Sequence, residues 1–394
     1  MSTKPPAMTT TPSTTSETIP TPLPGKSPKS LRWRGCFNPS PIAHFLNKLG
    51  LGFFVPYVRL AAGDEPEKQV RQILIDILLP GLAMFLFFMF WTVCAKGVHT
   101  DSTRIPTPGE TWSAWLGMRA FAADQAVKEA EFTEKMEKLA AVWDKQAQTA
   151  KDAGESAKAT ASSERAASYR NKEYAGPPTF YAQIRTSLLT VTIGFIAATL
   201  IAIPLGILCG LNRYFFIALN PLVQIFKPVS PLAWLPIVFV FVTALYDPPA
   251  DTHFFGRAMF ISAGTVTLCS LWPTLINTAF GVAGIDKDHL NVARVLKLSW
   301  FKQLTSIILP SALPLIFTGL RLSLGVGWMV LIAADMLAQN PGLGKFVWDT
   351  FQNGSTESMA QIVVAVFAIG IIGFFLDRVM FAMQRLVTFD ERAI

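Results

Sequence analysis

The chain is built from long apolar runs separated by polar connectors, and the runs have the length of membrane-crossing helices. Residues 77–95 carry no charged side chain and come close to the ~20 apolar residues that a helix needs to cross the hydrocarbon. Five further runs follow at 188–211, 219–246, 258–282, 312–337 and 362–383. The pattern predicts an all-α membrane protein with about six transmembrane helices. In the second run, small residues recur at every fourth position: Gly194, Ala198, Ala202, Gly206 and Gly210. The fifth run repeats the device with Gly319, Ser323 and Gly327. Such rows let one helix backbone approach another closely. The third run contains Pro221, Pro228, Pro231 and Pro236, so a kinked helix is expected there.

The polar stretches divide the rest. Residues 1–30 are rich in Ser, Thr and Pro and read as a disordered cytoplasmic tail. In 31–73 aromatic and basic residues alternate, as expected of a cytoplasmic interfacial segment. The first transmembrane helix is placed at 74–97 and a helical, extracytoplasmic insert at 98–182. The core of the insert is rich in Ala, Lys, Glu and Gln, which are strong helix formers, so one or two solvated helices or a hairpin are expected. A transmembrane domain at 183–386, with a polar loop at 283–310, leads to a tail at 387–394.

Composition agrees with a membrane class. Only 15% of the 394 residues are charged and 51% are hydrophobic, against about 25% charged in ordinary soluble domains. The formal net charge of +7 is accounted for by basic loops rather than by nucleic-acid binding. Arg213, then Lys287, Arg294, Lys297 and Lys302, then Arg378, Arg385 and Arg392 fall on one side of the membrane if the spans number six. The positive-inside rule makes that side cytoplasmic, with both termini inside and the insert outside. Cys36, Cys94, Cys209 and Cys269 and the four histidines are scattered, so neither a disulfide framework nor a metal site is expected. Gly342-Leu-Gly344-Lys345 lacks the spacing and the Ser or Thr of a phosphate loop. No cofactor is expected on this chain, and no arrangement of side chains stands out as catalytic.

Two groups of residues are candidates for function. Asn220, Gln224, Lys227 and Ser230 follow spacings of four, three and three, and Trp234 continues the stripe. On one helix they share a face, and polar residues inside a membrane usually face a bundle interior or a watery cavity. Lys227 then helps pass an anion; the alternative is that it snorkels to the interface while Pro228 kinks the helix. Arg321 is a further pathway candidate, although a structural use is equally consistent with its place, and Asp335 lies too far along the same helix to pair with it. The second group is in the 283–310 loop. Leu290, Ala293, Val295, Leu296 and Leu298 imply a short amphipathic helix across the membrane face, followed by a helical piece rising to Pro310.

This loop resembles the EAA signature of ATP-binding-cassette importer permeases, Glu-Ala-Ala-x3-Gly-x9-Ile-x-Leu-Pro. Ala293 occupies the second alanine, and Ile307, Leu309 and Pro310 match the end, while Asn291, Val292 and Lys297 replace Glu, Ala and Gly. The run Asn291-Val292-Ala293-Arg294 and the residues that follow to Leu298 are similar to the nitrate branch of the family. So are residues 231–236, 271–278, 318–323, 333–337, 346–349 and 376–378. The resemblance covers roughly 70–112 and 178–386. It implies a type I ABC importer permease fold in a bacterial cell inner membrane, working by alternating access. It also implies cytoplasmic ATPase subunits that hold ATP and Mg, an extracytoplasmic substrate-binding protein, and a second permease copy, most simply a homodimer in the lipid bilayer. Leu290, Asn291, Val292, Ala293, Arg294, Leu298 and Pro310 would form the ATPase-coupling loop. The cargo implied is nitrate; bicarbonate, cyanate or an organic sulfonate fits the same machinery. An ATP-independent channel or secondary transporter, and a scaffold built on the insert, are the readings from other classes.

Overall fold

The computed structural model describes residues 55–62, 66–97, 104–246 and 256–387. The expectations for 1–54 and for the tail from 388 therefore fall outside the described residues. All regular elements described are helices. Helix α1 (Val55–Ala61) leads to α2 (Pro66–Gly97), which starts eight residues before the expected 74 because Pro66 opens it and a polar turn of Glu67, Lys68 and Gln69 precedes the span. The apolar window of α2 buries nothing inside the chain. Its outermost turns are held by Trp91, whose Nε1 donates to the Pro106 carbonyl at 3.0 Å and whose ring meets Phe367 at 5.5 Å.

The insert is a helical hairpin of α3 (Pro108–Asp152) and α4 (Ser156–Arg170). At 45 residues, α3 is about 67 Å long. It begins with a reciprocal cap: the Thr107 hydroxyl accepts from Glu110 N–H (3.3 Å) and the Glu110 carboxylate accepts from Thr107 N–H (2.8 Å). That backbone N–H holds the Glu110 carboxyl below the usual carboxylate range, with the Thr107 hydroxyl and Arg104 adding to the effect. Gly154 turns the chain at φ +78°, a conformation that costs glycine no steric penalty. Ala140 and Ala166, both fully buried, form the hairpin seam, and Arg165 lies 4.8 Å over the Trp143 ring.

The membrane domain follows. It comprises α5 (Phe180–Leu211), the short pair α6 (Arg213–Phe226) and α7 (Pro231–Leu245), α8 (Arg257–Ala283), α9 (Lys287–Val295), and α10 (Trp300–Gln303). A π turn at Leu304–Ile308 carries α10 into α11 (Leu309–Ala338), and α12 (Leu343–Asn353) and α13 (Thr356–Val387) complete it. Among the described residues five helices, α2 included, are long and apolar enough to cross a membrane, and the α6–α7 pair makes a sixth if counted as one broken span.

Helix α8 is the centre, packed between α5 and α11, and the small residues are the reason. A Cβ on Gly206 would lie 2.6 Å from Thr278 Cβ, and one on Gly210 2.5 Å from Val282 Cβ. On the other flank, a Cβ on Gly319 would lie 2.9 Å from Thr274 Cα. Both small-residue rows thus face α8. Pro273 removes a donor from the middle of α8, and Ser323 of α11 inserts into the next step of the ladder, between Thr274 and Ser270. Its hydroxyl donates to the Ser270 carbonyl and accepts from Thr274 N–H at 3.1 Å. A side chain inserted into the helical ladder holds two spans together.

Candidate functional site

The loop between α8 and α11 folds as its periodicity demands. Asp286 accepts the N–H of Asp288 at 3.0 Å and caps α9. Leu290, Asn291, Val292, Ala293 and Arg294 all lie on this helix. Asn291 faces solvent and Ala293 is only 2% exposed. The helix ends with Leu298 N–H donating to the Ala293 carbonyl at 3.1 Å, six residues back to one, while Lys297 takes φ +48°. This is the Schellman termination, in which the residue after the cap adopts the left-handed conformation that glycine favours. Lys297 occupies the position where the EAA signature has glycine, and the backbone keeps the glycine geometry although the side chain has changed. On either side of it, Val295, Leu296, Trp300 and Phe301 are exposed apolar residues. The π turn has a local cause: Pro310 offers no N–H, and Leu309 N–H donates back to Leu304 instead.

The expected single-face stripe in the third apolar run is not formed. The helix breaks after Phe226, and α6 and α7 meet at 106°. Lys227 is the C-cap of α6 and Ser230 the N-cap of α7, its Oγ accepting from Leu232 N–H at 3.4 Å. The reason is the pair Pro228 and Pro231. Each lacks an N–H, and Pro231 holds Ser230 out of the α region at ψ 140°, while Lys227 before Pro228 keeps helical angles. Asn220 and Gln224 remain together on α6 and line a cavity of about 50 Å³ with Cys209, Leu275 and Phe280. Lys227 lies on the other side of the break and is exposed. Trp234 stacks on Phe226 at 5.5 Å, and Phe226 also meets Trp272 of α8 at 6.2 Å, nearly parallel.

Arg321 is held by a partner that lies 56 residues away in sequence. Its guanidinium forks onto Asp377 of α13, through Nε to one oxygen and through NH2 to the other at 2.9 Å. Asp377 bridges Arg321 and Arg378, and both guanidinium groups lie over the Phe381 ring. Arg321 is thus a paired residue linking α11 to α13.

Asp335, at the far end of α11, is too distant along the helix to pair with Arg321 and finds other partners. The structure makes it the hub of a buried knot. Its carboxylate accepts from Ser187 Oγ of α5 at 2.8 Å and from Asn340 Nδ2 at 2.7 Å. Ser187 Oγ also accepts from Leu343 N–H at 2.8 Å, at the start of α12. The glycines that looked superficially like a phosphate loop serve this knot. A Cβ on Gly342 would lie 2.2 Å from Asp335 Oδ2, and one on Gly344 2.0 Å from the Ile332 carbonyl. The signal in the sequence was a charged residue at the end of an apolar run followed by Asn-Pro-Gly-Leu-Gly. Among the described residues no group of His, Cys, Asp and Glu is placed to hold a metal ion.

Residues 202–388 match the family model described as "Binding-protein-dependent transport system inner membrane component", a region that starts after the insert. The chain is 38% identical over 210 residues to the nitrate import permease protein NrtB of Synechocystis, covering 53% of this chain and 70% of that protein. It is 41% identical over 204 residues to the bicarbonate transport system permease protein CmpB of Synechococcus elongatus, covering 52% and 68%. With the taurine transport system permease protein TauC of Escherichia coli the identity is 31% over 210 residues, covering 53% and 70%. The α6–α7 break, helix α9 and Asp335 lie in the matched region, and the chain belongs to the family of inner-membrane components of binding-protein-dependent ABC importers.

Proposed function

We propose that the chain is the membrane subunit of an ATP-driven nitrate importer. A second copy completes the pathway, and a separate ATPase pair supplies the energy. The observation that carries the ATPase reading is the capped α9 with its Schellman end at Lys297, which presents an ordered helix and the exposed Trp300–Phe301 patch as a unit. In this reading α9 lies on the cytoplasmic side, both termini are inside, and the α3–α4 hairpin stands outside, where an extracytoplasmic binding protein delivers the anion. Closure of the ATPase dimer moves α9. Through the π turn that movement reaches α11, and through Ser323 it reaches α8. ATP and Mg belong to the partner subunit. Arg321, tied to Asp377, steadies the inner half of the bundle.

Nitrate is favoured by the similarity of residues 291–298 to the nitrate branch and by the nitrate permeases among the relatives. Bicarbonate is the second reading, because bicarbonate permeases match at comparable identity. The deciding measurement is the ATPase rate of the reconstituted complex with its binding protein and nitrate, bicarbonate or taurine. Stimulation by nitrate at the lowest concentration is expected. Stimulation by bicarbonate or taurine without nitrate would replace the cargo, and a permease that never co-purifies with an ATPase would remove the class.

A further inference from the structure

The break between α6 and α7 leaves hydrogen-bond donors without acceptors. Trp234 Nε1 and Trp272 Nε1 are both shielded from solvent, and neither meets an acceptor among the described residues. A buried N–H left unpaired costs about 1–3 kcal/mol, so two of them around one phenyl ring call for an acceptor from outside the chain. Both indoles rest on Phe226, one from α7 and one from α8. The next residue along is Lys227, a cation in an otherwise apolar stretch with no carboxylate within ion-pair reach among the described residues. Ser230 Oγ already accepts from Leu232 N–H, which leaves its own O–H free to donate. The amides that carry acceptor oxygens, Asn220 and Gln224, turn into the separate cavity beside Cys209. The break therefore gathers side-chain donors and one positive charge, with no carboxylate of the described residues beside them.

Resting on the importer reading above, we propose that the Phe226–Trp234–Trp272 cradle at the helix break, with Lys227, is the anion subsite of the pathway, and that it takes weakly hydrated oxoanions through its indole N–H donors and its one cation. Nitrate and the sulfonate group are of that kind. Delocalised, weakly hydrated anions also suit an aromatic rim better than a compact hydrated one does. Trp272 joins the site from a different span, which is why the spacing of residues 220–234 could not include it.

The test uses the full complex with its ATPase and binding protein in liposomes, comparing wild type with Trp234→Phe, Trp272→Phe and the double variant. Phenylalanine keeps an aromatic ring but removes the N–H together with part of the indole, so uptake is measured well below the Tm of each variant. Each single variant is expected to raise the KM for nitrate uptake about tenfold, with a larger rise in the double variant and kcat less affected. An unchanged KM in the double variant, or a fall in kcat with KM unchanged, overturns the subsite. If the wild type carries a sulfonate and not nitrate, the nitrate reading falls, while a raised sulfonate KM in the variants upholds the cradle. Transport of bicarbonate in preference to both overturns the cradle and the nitrate reading together.

Discussion

Two neighbouring parts of the membrane domain solve the same problem in opposite ways. Both α8 and the α6–α7 run contain prolines in mid-span, and each proline frees a backbone carbonyl that lipid cannot satisfy. In α8 the ladder beside Pro273 is bridged by a side chain from the next helix, Ser323, and glycines on both flanks bring the backbones close enough for this to work. In α6–α7 two prolines three residues apart break the helix instead. Around that break, among the described residues, Lys227 has no ion-pair partner and two indole N–H groups have no acceptor. The first arrangement is a fixed joint and the second an open one. A transporter needs both: a part that transmits movement as a solid, and a part whose polar groups are reserved for cargo.

That comparison is tested most severely at Gly206. A leucine there must displace the Leu275 carbonyl, 2.8 Å from the new Cβ, as well as Thr278. Backbone cannot yield as a flexible side chain does, so the cost is expected at or above the top of the ~1–3 kcal/mol range for overpacking. Gly206→Leu should lower the unfolding temperature in detergent more than any change at the break. A variant as stable as wild type would mean that α5 and α8 are not a fixed joint.

Ser323→Ala should have a smaller effect. It removes one oxygen and leaves Thr274 N–H and the Ser270 carbonyl facing each other beside Pro273, a loss of about 1–2 kcal/mol for an unsatisfied buried pair. Ser323→Thr, which keeps the hydroxyl, should recover part of it. Equal stability of the alanine variant and wild type would show that the ladder beside Pro273 closes without help from α11.

How much of this was legible beforehand depended on range. The apolar runs, the small-residue rows and the α9 helix are local patterns and were readable from 394 letters. The capped hairpin was legible in outline from its composition. The stripe 220–234 failed because helical spacing was carried across Pro228 and Pro231, where the helical period no longer holds. The partners of Arg321 and Asp335 were hidden for another reason. Asp377 and Ser187 lie 56 and 148 residues away, and no periodicity connects residues on different spans. Lys297 stood out only as a departure from the family signature. Its φ of +48° shows that the signature records a backbone conformation as much as a residue.

The smallest effect on stability is expected at the break itself, and that is what makes it informative. Lys227 is exposed and makes no ion pair among the described residues. Lys227→Gln therefore removes a charge without orphaning a partner, and surface changes of that kind usually fall within about ±0.5 kcal/mol. Its unfolding temperature should match wild type while anion uptake falls. The contrast with Gly206→Leu would then be complete, with stability concentrated in the filled joint and transport in the open one. If Lys227→Gln instead unfolds the protein, the charge is part of the scaffold, and the division of labour between the two proline sites would have to be abandoned.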